Sequence, residues 1–320
     1  MSLLARFTFD GGMMDLFGAT LSGACLHVID PLVPAPELRH RLATTGVSLL
    51  HCTPTLFRHL VHDVSEVDPS LEGIRTVVLG GEEATGEDLR RFFSSFPANC
   101  VLINGLGPTE CTLALQYRAS RADLGFAALP VGYPVAGVEA RMLDEDGQPT
   151  ELFGELELLG DRVAHGYFRQ PDATAAAFGT YPDGTRYYRT GDLVRRRSDG
   201  ALMFHGRKDR QIKIRGHRVE PGEIEAALRA HPTVAQAAVV LADLSGRSAL
   251  VGYVTAATAF PPDPAELTGY LGRVLPDYAV PARIVPLASL PVGSTGKLDR
   301  SRLPPAHEIP RDCPDAPAGV

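Results

Sequence analysis

Cysteine is scarce and unpatterned in this chain. Cys25, Cys52, Cys100, Cys111 and Cys313 are odd in number, widely spread and never spaced C-x-x-C, which argues against a disulfide framework or a zinc site and fits a reducing cytoplasm. Long hydrophobic runs are also missing. Ala237–Leu241 is far too short to cross a bilayer, and no charged-then-apolar leader opens the chain, so no membrane partner and no export are expected. Net positive charge is lacking too: the formal charge is −7 and the pI is near 5.8, so most of the surface would repel phosphate and nucleic acid is a poor partner. What remains is a chain of 320 residues, 44% of them hydrophobic, which is long enough for about two packed domains.

The stretch Gly206–Glu225 stands out. Gln211 to Arg215 alternate polar and apolar, the period of a half-buried strand, and Gly216 breaks it. Pro221 suits a first helical position, Glu223 and Glu225 suit the positive end of a helix dipole, and Ile224, Ala227 and Leu228 repeat at helical spacing until His231-Pro232. A new folding unit opens there. Arg207, Lys208, Arg210, Lys213, Arg215 and Arg218 crowd the stretch, and inside an acidic chain they read either as a seat for an anionic small molecule or as a basic solvated strand face.

Upstream, strands and helices alternate. A turn is expected at Asp10-Gly11-Gly12, a helix through Met13, Leu16, Phe17 and Leu21, and a strand from Ala24 to Ile29. A helix over Pro36–Thr45 and a strand over Val47–Cys52 follow, then a helix after Pro54, a strand at Thr76–Leu79, a helix from Gly86 to Phe93 and a strand at Cys100–Asn104. Such alternation predicts an α/β fold with a mostly parallel sheet, whose ligands sit beyond the carboxyl ends of the strands. Asp10, His51, Gly80 and Asn104 to Glu110 would lie near that edge. After about Arg118, short apolar runs split by Gly, Pro and Asp predict a β subdomain. Beyond the central stretch, strands at Val234–Leu241, Ala249–Thr255 and Arg283–Pro286 with a helix from Pro264 to Leu275 predict a small α+β domain of roughly 95 residues. The expected boundaries are 1–207, 208–303 and a disordered tail at 304–320.

Several short segments carry chemistry. NGLGPTE, Asn104 to Glu110, follows a strand with a Gly-rich turn; Thr109 offers a hydroxyl to a phosphate and Glu110 a carboxylate to Mg²⁺, and taken alone it reads equally well as a structural turn. YRTGDL, Tyr188 to Leu193, places Asp192 in a tight turn where a carboxylate would accept both ribose hydroxyls, although Asp in a turn is more often structural. GSTGKLDR, Gly293 to Arg300, sets Lys297 after a small loop without the spacing of a P-loop.

Taken together and in order with the central stretch, with GEL at Gly154–Leu156, Gly166-Tyr167 and LPDYAVP from Leu275, these segments resemble the adenylation domains of nonribosomal peptide synthetases, within the adenylate-forming superfamily. The resemblance runs from Phe9 to Arg300. It implies part of an adenylate-forming core, α/β then β, followed by a small mobile C-terminal lid. It also implies ATP and Mg²⁺, an amino acid substrate, and the phosphopantetheine thiol of a peptidyl carrier protein. By position, Asp10 would hold the substrate ammonium, Thr109 and Glu110 would serve phosphate and Mg²⁺, and Asp192 and Arg207 the ribose. Asp209 would be the hinge, and Lys297 would bridge the substrate carboxylate and the α-phosphate. Asn104, Gly105 and Leu106 would border the nucleotide. Asp10, Gly11, Met14, His51, Val78, Gly80, Gly105, Leu113, Ala114 and Lys297 would line the substrate pocket, with His51 a polar contact or a satisfied core histidine.

Two departures accompany the likeness. Leu106 stands where the family usually has an aromatic residue against adenine, and the family's Ser/Thr/Gly-rich phosphate loop is not found upstream of Phe9-Asp10. The chain is therefore expected to be the second half of an adenylation domain with its small domain, a fragment or one partner of a split enzyme, with little or no pyrophosphate exchange alone. The rival readings are a non-catalytic module binding a carrier or small helper protein, and an acyl- or aryl-CoA ligase, against which Asp10 is the main argument.

Overall fold

The computed structural model describes residues 1–208, 212–214, 217–244, 248–258, 260–291 and 299–305. The chain divides into two compact units, Met1–Asp209 and Arg210–Val320.

The first helix, Asp10–Ser22, is the one expected through Met13 and Leu21, begun earlier: Asp10, Gly11 and Gly12, expected as a turn, form its first turn. Gly12 is there for close approach: a Cβ on it would lie 2.5 Å from the Arg6 carbonyl oxygen, so the helix rests directly on the preceding backbone. Asp10 sits in the first turn, favourable to the dipole, and its Oδ1 accepts the Gly11 N–H at 3.0 Å. The strand expected from Ala24 to Ile29 is confined to His27–Val28, which pairs in parallel with Ser2–Leu3.

A five-stranded sheet follows, in the order Leu49–Cys52, Thr76–Leu79, Val101–Leu106, Leu115–Arg118 and Tyr133–Pro134. Its first three strands are parallel and the last two continue antiparallel. Alternation decides its faces. Leu50, Cys52, Val77 and Leu79 are buried in a core with Leu38, Leu42, Phe57, Leu60 and Phe92 from the covering helices Ala35–Thr44, Pro54–Val61 and Gly86–Ser95, while His51 and Val78 point to the other face.

Local chemistry ends the helices cleanly. Pro54 occupies a first-turn position with Thr53 Oγ1 accepting from Leu56 N, and Thr85 with Asp88 forms a reciprocal capping box. Asp88 is fully buried and also takes Arg58 through both oxygens, Nε and Nη2 each at 2.7 Å, which ties two helices together beside the strand ends.

The β subdomain is an antiparallel sheet of Glu139–Leu143, Pro149–Thr150, Phe153–Leu159, Phe178–Thr180 and Arg186–Arg196, with Leu202–Arg207 also paired to Arg186–Arg196. Its core gathers Leu106, Leu115, Met142, Leu156, Leu158, Tyr188 and Val194.

In the second unit a hairpin of Ile212–Ile214 and His217–Val219 precedes the helix Pro221–Arg229, whose start agrees with the position of Pro221. The strands Val234–Asp243 and Ser248–Ala256 pair antiparallel, and Arg283–Leu287 adds in parallel. Ile224, Leu228, Leu267 and Leu271, from this helix and Pro264–Val274, fill the core against the sheet. No described helix is long and apolar enough to cross a membrane.

Candidate active site

Several of the expected residues line two neighbouring cavities of the first unit. Asp10, Met14 and Thr109 line one cavity of about 1040 Å³, together with Thr112 and Arg162. Met14 also lines a neighbouring cavity of about 350 Å³, shared with His51, Val78 and Leu113. His51 and Val78 are register partners on adjacent parallel strands, so their side chains stand together on the sheet face away from the main core. Gly11 and Gly80 border the His51 ring: a Cβ on them would lie 3.5 Å from Cε1 and 3.7 Å from Nε2 respectively. Gly105 is buried beneath Leu113, whose Cδ1 would be 2.9 Å from a Cβ placed there.

The loop after Val101–Leu106 is tightly wound. A Cβ on Gly107 would fall 2.1 Å from the Thr112 carbonyl oxygen, and Thr112 itself has φ of 52°, an unfavourable conformation for a β-branched residue. This loop leaves Thr109 exposed while Glu110 turns inward, where it accepts from the Tyr167 hydroxyl at 2.5 Å. The Glu110 carbonyl accepts from Ala164 N at 2.8 Å, so the loop is pinned to the segment carrying Arg162 and Tyr167.

Asp192 lies inside the strand Arg186–Arg196, not in a turn; the register slips just after it, and Gly191 before it has φ of 74°. It faces Arg207 across the pairing with Leu202–Arg207, and Arg207 Nη1 reaches Asp192 Oδ1 at 2.5 Å. Next to this pair, Glu155 accepts from Gly191 N and from Lys208 Nζ.

Some expected residues do not present themselves to a ligand. Leu106 is 6% exposed and belongs to the β-subdomain core, and Ala114 is fully buried in the same core. Asn104 is buried, with Nδ2 donating to the Pro130 carbonyl at 2.8 Å, which anchors the strand end. The hinge and lysine positions, Asp209 and Lys297, lie outside the described residues, as does most of the expected tail.

Sequence reasoning missed Arg162 and Asp15. Arg162 is one basic residue among many and gains meaning only from lining the cavity with Thr109. Asp15 reads as the polar side of a helix, yet it is completely buried and its Oδ1 lies 2.8 Å from His51 Nδ1.

An α/β body with these groups at its strand ends, followed by a separate small α+β unit, has the architecture of adenylate-forming enzymes. Residues 1–168 match the AMP-binding enzyme family and residues 223–297 match the AMP-binding enzyme C-terminal domain, so the chain belongs to the AMP-binding enzymes. Among curated proteins it is 41% identical over 304 residues to a probable non-canonical nonribosomal peptide synthetase, CymA, of Salinispora arenicola, covering 93% of this chain and 4% of that protein. The dimodular nonribosomal peptide synthase of Bacillus subtilis is 38% identical over 305 residues, covering 92% of this chain and 12% of that one. Among solved structures, holo-PA1221, a nonribosomal peptide synthetase protein with adenylation and carrier domains, superposes with a TM-score of 0.81 at 30% identity, covering 94% of this chain and 52% of that one. The Vibrio cholerae adenylation domain AlmE, solved with glycyl-adenosine-5'-phosphate, gives a TM-score of 0.80 at 27% identity, covering 93% and 57%. The chain thus spans about half the length of the solved proteins it resembles and a small part of the curated ones.

Proposed function

We propose that this chain carries much of the active site of an amino-acid-activating adenylation domain of a nonribosomal peptide synthetase. In the first half-reaction a substrate carboxylate oxygen bonds to the α-phosphorus of ATP and the bond to pyrophosphate breaks. In the second, a carrier-bound phosphopantetheine sulfur bonds to the acyl carbon and AMP leaves. The observation that carries this reading is the meeting of Asp10, Met14 and Thr109 around one cavity at the strand ends, in a chain of the AMP-binding family.

Each residue then has a task that fits its surroundings. Asp10 pairs with the substrate ammonium, since a carboxylate drawn from water needs a cationic partner, and this favours an amino acid over an aryl or fatty acid. Thr109, exposed at the loop tip, donates to phosphate oxygen. Asp192, held by Arg207, takes the ribose hydroxyls. Among the described residues no cluster of three or more His, Cys, Asp or Glu is placed to hold a metal. Mg²⁺ accompanying the nucleotide phosphates would be held by the carboxylate of Glu110, which in this structure is turned inward and accepts from the Tyr167 hydroxyl. When bound it supplies positive charge where phosphate oxygens crowd. Lys297 adds a second cation at the reacting carboxylate, and movement about Asp209 withdraws it for thiol transfer.

The test is co-expression with the N-terminal half of an adenylation domain, followed by ATP–pyrophosphate exchange across amino, aryl and fatty acids. Exchange driven by amino acids supports the reading. Exchange driven only by aryl or fatty acids assigns a CoA ligase, and capture of a carrier or helper protein without any exchange assigns a binding module.

A further inference from the structure

We propose that Asp15 and His51 form a specificity device that selects amino acids bearing a side-chain hydroxyl. The inference rests on the adenylation reading and deepens it.

The geometry assigns the two residues different parts. A carboxylate only accepts, so the 2.8 Å contact places a proton on His51 Nδ1 and turns Nε2 the other way. Nε2 has no hydrogen-bond partner among the described residues. The edge it occupies faces Gly11 and Gly80, the two positions with no side chain to fill the space. Around it the apolar walls of the 350 Å³ cavity include Met14, Val78 and Leu113, and Ser22, Ser48 and Gln116 are its other uncharged polar residues. A largely apolar cavity with a few placed polar groups is the usual plan of a selective small-molecule site, and among these the imidazole is the one held in a fixed orientation by a buried carboxylate.

Asp15 borders the same cavity but exposes none of its surface, and its Oδ1 is taken up by the imidazole, so it acts through His51. Its Oδ2 is also buried and has no hydrogen-bond partner among the described residues, so the carboxylate is kept at a cost that an alanine or leucine on the same helix would not incur. It is a positioning residue: it fixes which way the imidazole points and which nitrogen is offered. An aliphatic substrate side chain would leave Nε2 facing hydrocarbon. A side-chain hydroxyl can donate to Nε2.

The full chain, labelled with ¹⁵N-histidine and assigned with His51→Gln, is titrated with the isosteric pairs threonine and valine, and tyrosine and phenylalanine. The expected result is that the hydroxylated member of one pair shifts the His51 Nε2 resonance and binds on the order of tenfold more tightly than its deoxy counterpart, the scale of one hydrogen bond to a half-buried group. Asp15→Asn is expected to abolish that preference and Asp15→Glu to restore part of it. If Asp15→Asn fails to fold, His51→Asn makes the same comparison. Binding of amino acids without any preference for the hydroxyl, or a preference that survives Asp15→Asn, overturns this inference alone. Failure of every amino acid to shift any cavity resonance overturns the adenylation reading and this inference with it.

Discussion

Asp88→Ala should unfasten the helices that frame the strand ends, and its cost follows from what Asp88 holds. The wild-type carboxylate accepts from Thr85 N at 2.8 Å and Thr85 Oγ1 at 2.9 Å, and from Arg58 Nε and Nη2 at 2.7 Å each. Loss of the cap interaction removes about 1 kcal/mol. Charge-assisted bonds to a buried carboxylate contribute about 1.5–3 kcal/mol. The Arg58 side chain is 40% exposed, so water recovers part of that contribution when Asp88 is gone. The expected destabilisation of the first unit is therefore roughly 2–3 kcal/mol. Urea titration followed by hydrogen exchange of peptides from residues 76–106 isolates this unit from the second. Arg58→Met is expected to cost a similar amount, because it leaves the fully buried Asp88 with Thr85 alone, and the double variant should cost less than the sum. A cost below about 1 kcal/mol for Asp88→Ala, or strict additivity with Arg58→Met, would refute the argument.

Lys297→Ala is expected to abolish adenylation in the reconstituted enzyme while sparing thiol transfer from supplied aminoacyl-adenylate; equal loss of both steps would contradict its assigned role. Gly107→Ala places a methyl 2.1 Å from the Thr112 carbonyl oxygen, so pyrophosphate exchange by the reconstituted enzyme should fall by about 10²-fold through displacement of Thr109, with hydrogen-exchange protection of the second unit unchanged. Burial pushes the thiols of Cys52 and Cys111 up and that of Cys100 up to about 11, which keeps them from forming thiolate; alkylation at pH 8 read by mass spectrometry should therefore label exposed Cys25 at once and these three only after unfolding. The hydrogen bond from Arg39 lowers the Asp63 carboxyl to about 2, with further attraction from the same guanidinium. A folded value below the unfolded one means this stabilisation is fully present above pH ~4 and disappears as pH falls toward 2, so Asp63→Asn should flatten that part of an acid titration.

Much of the fold is legible in one dimension. The helix starts at Pro54, Gly86, Pro221 and Pro264 are written in capping residues and prolines, and the strand Thr76–Leu79 in its β-branched run. These features act over a few residues, so the sequence carries them directly. Where reading failed, the cause was a contact with a distant segment. Gly11 and Gly12 look like a turn until the Arg6 backbone is found against Gly12, and Asp192 looks like a turn residue until Leu202–Arg207 pairs with its strand.

The site divides in the same way. Its residue types and their order along the chain, from Asp10 through Thr109 and Glu110 to Asp192 and Arg207, were set by the sequence, because each motif keeps its own local backbone requirement. Which of them face a ligand was decided only by tertiary packing: Leu106 and Ala114 went into a core, while Asp15, an ordinary helix aspartate in one dimension, was buried against His51. Burial depends on what other segments cover, and no local pattern records that.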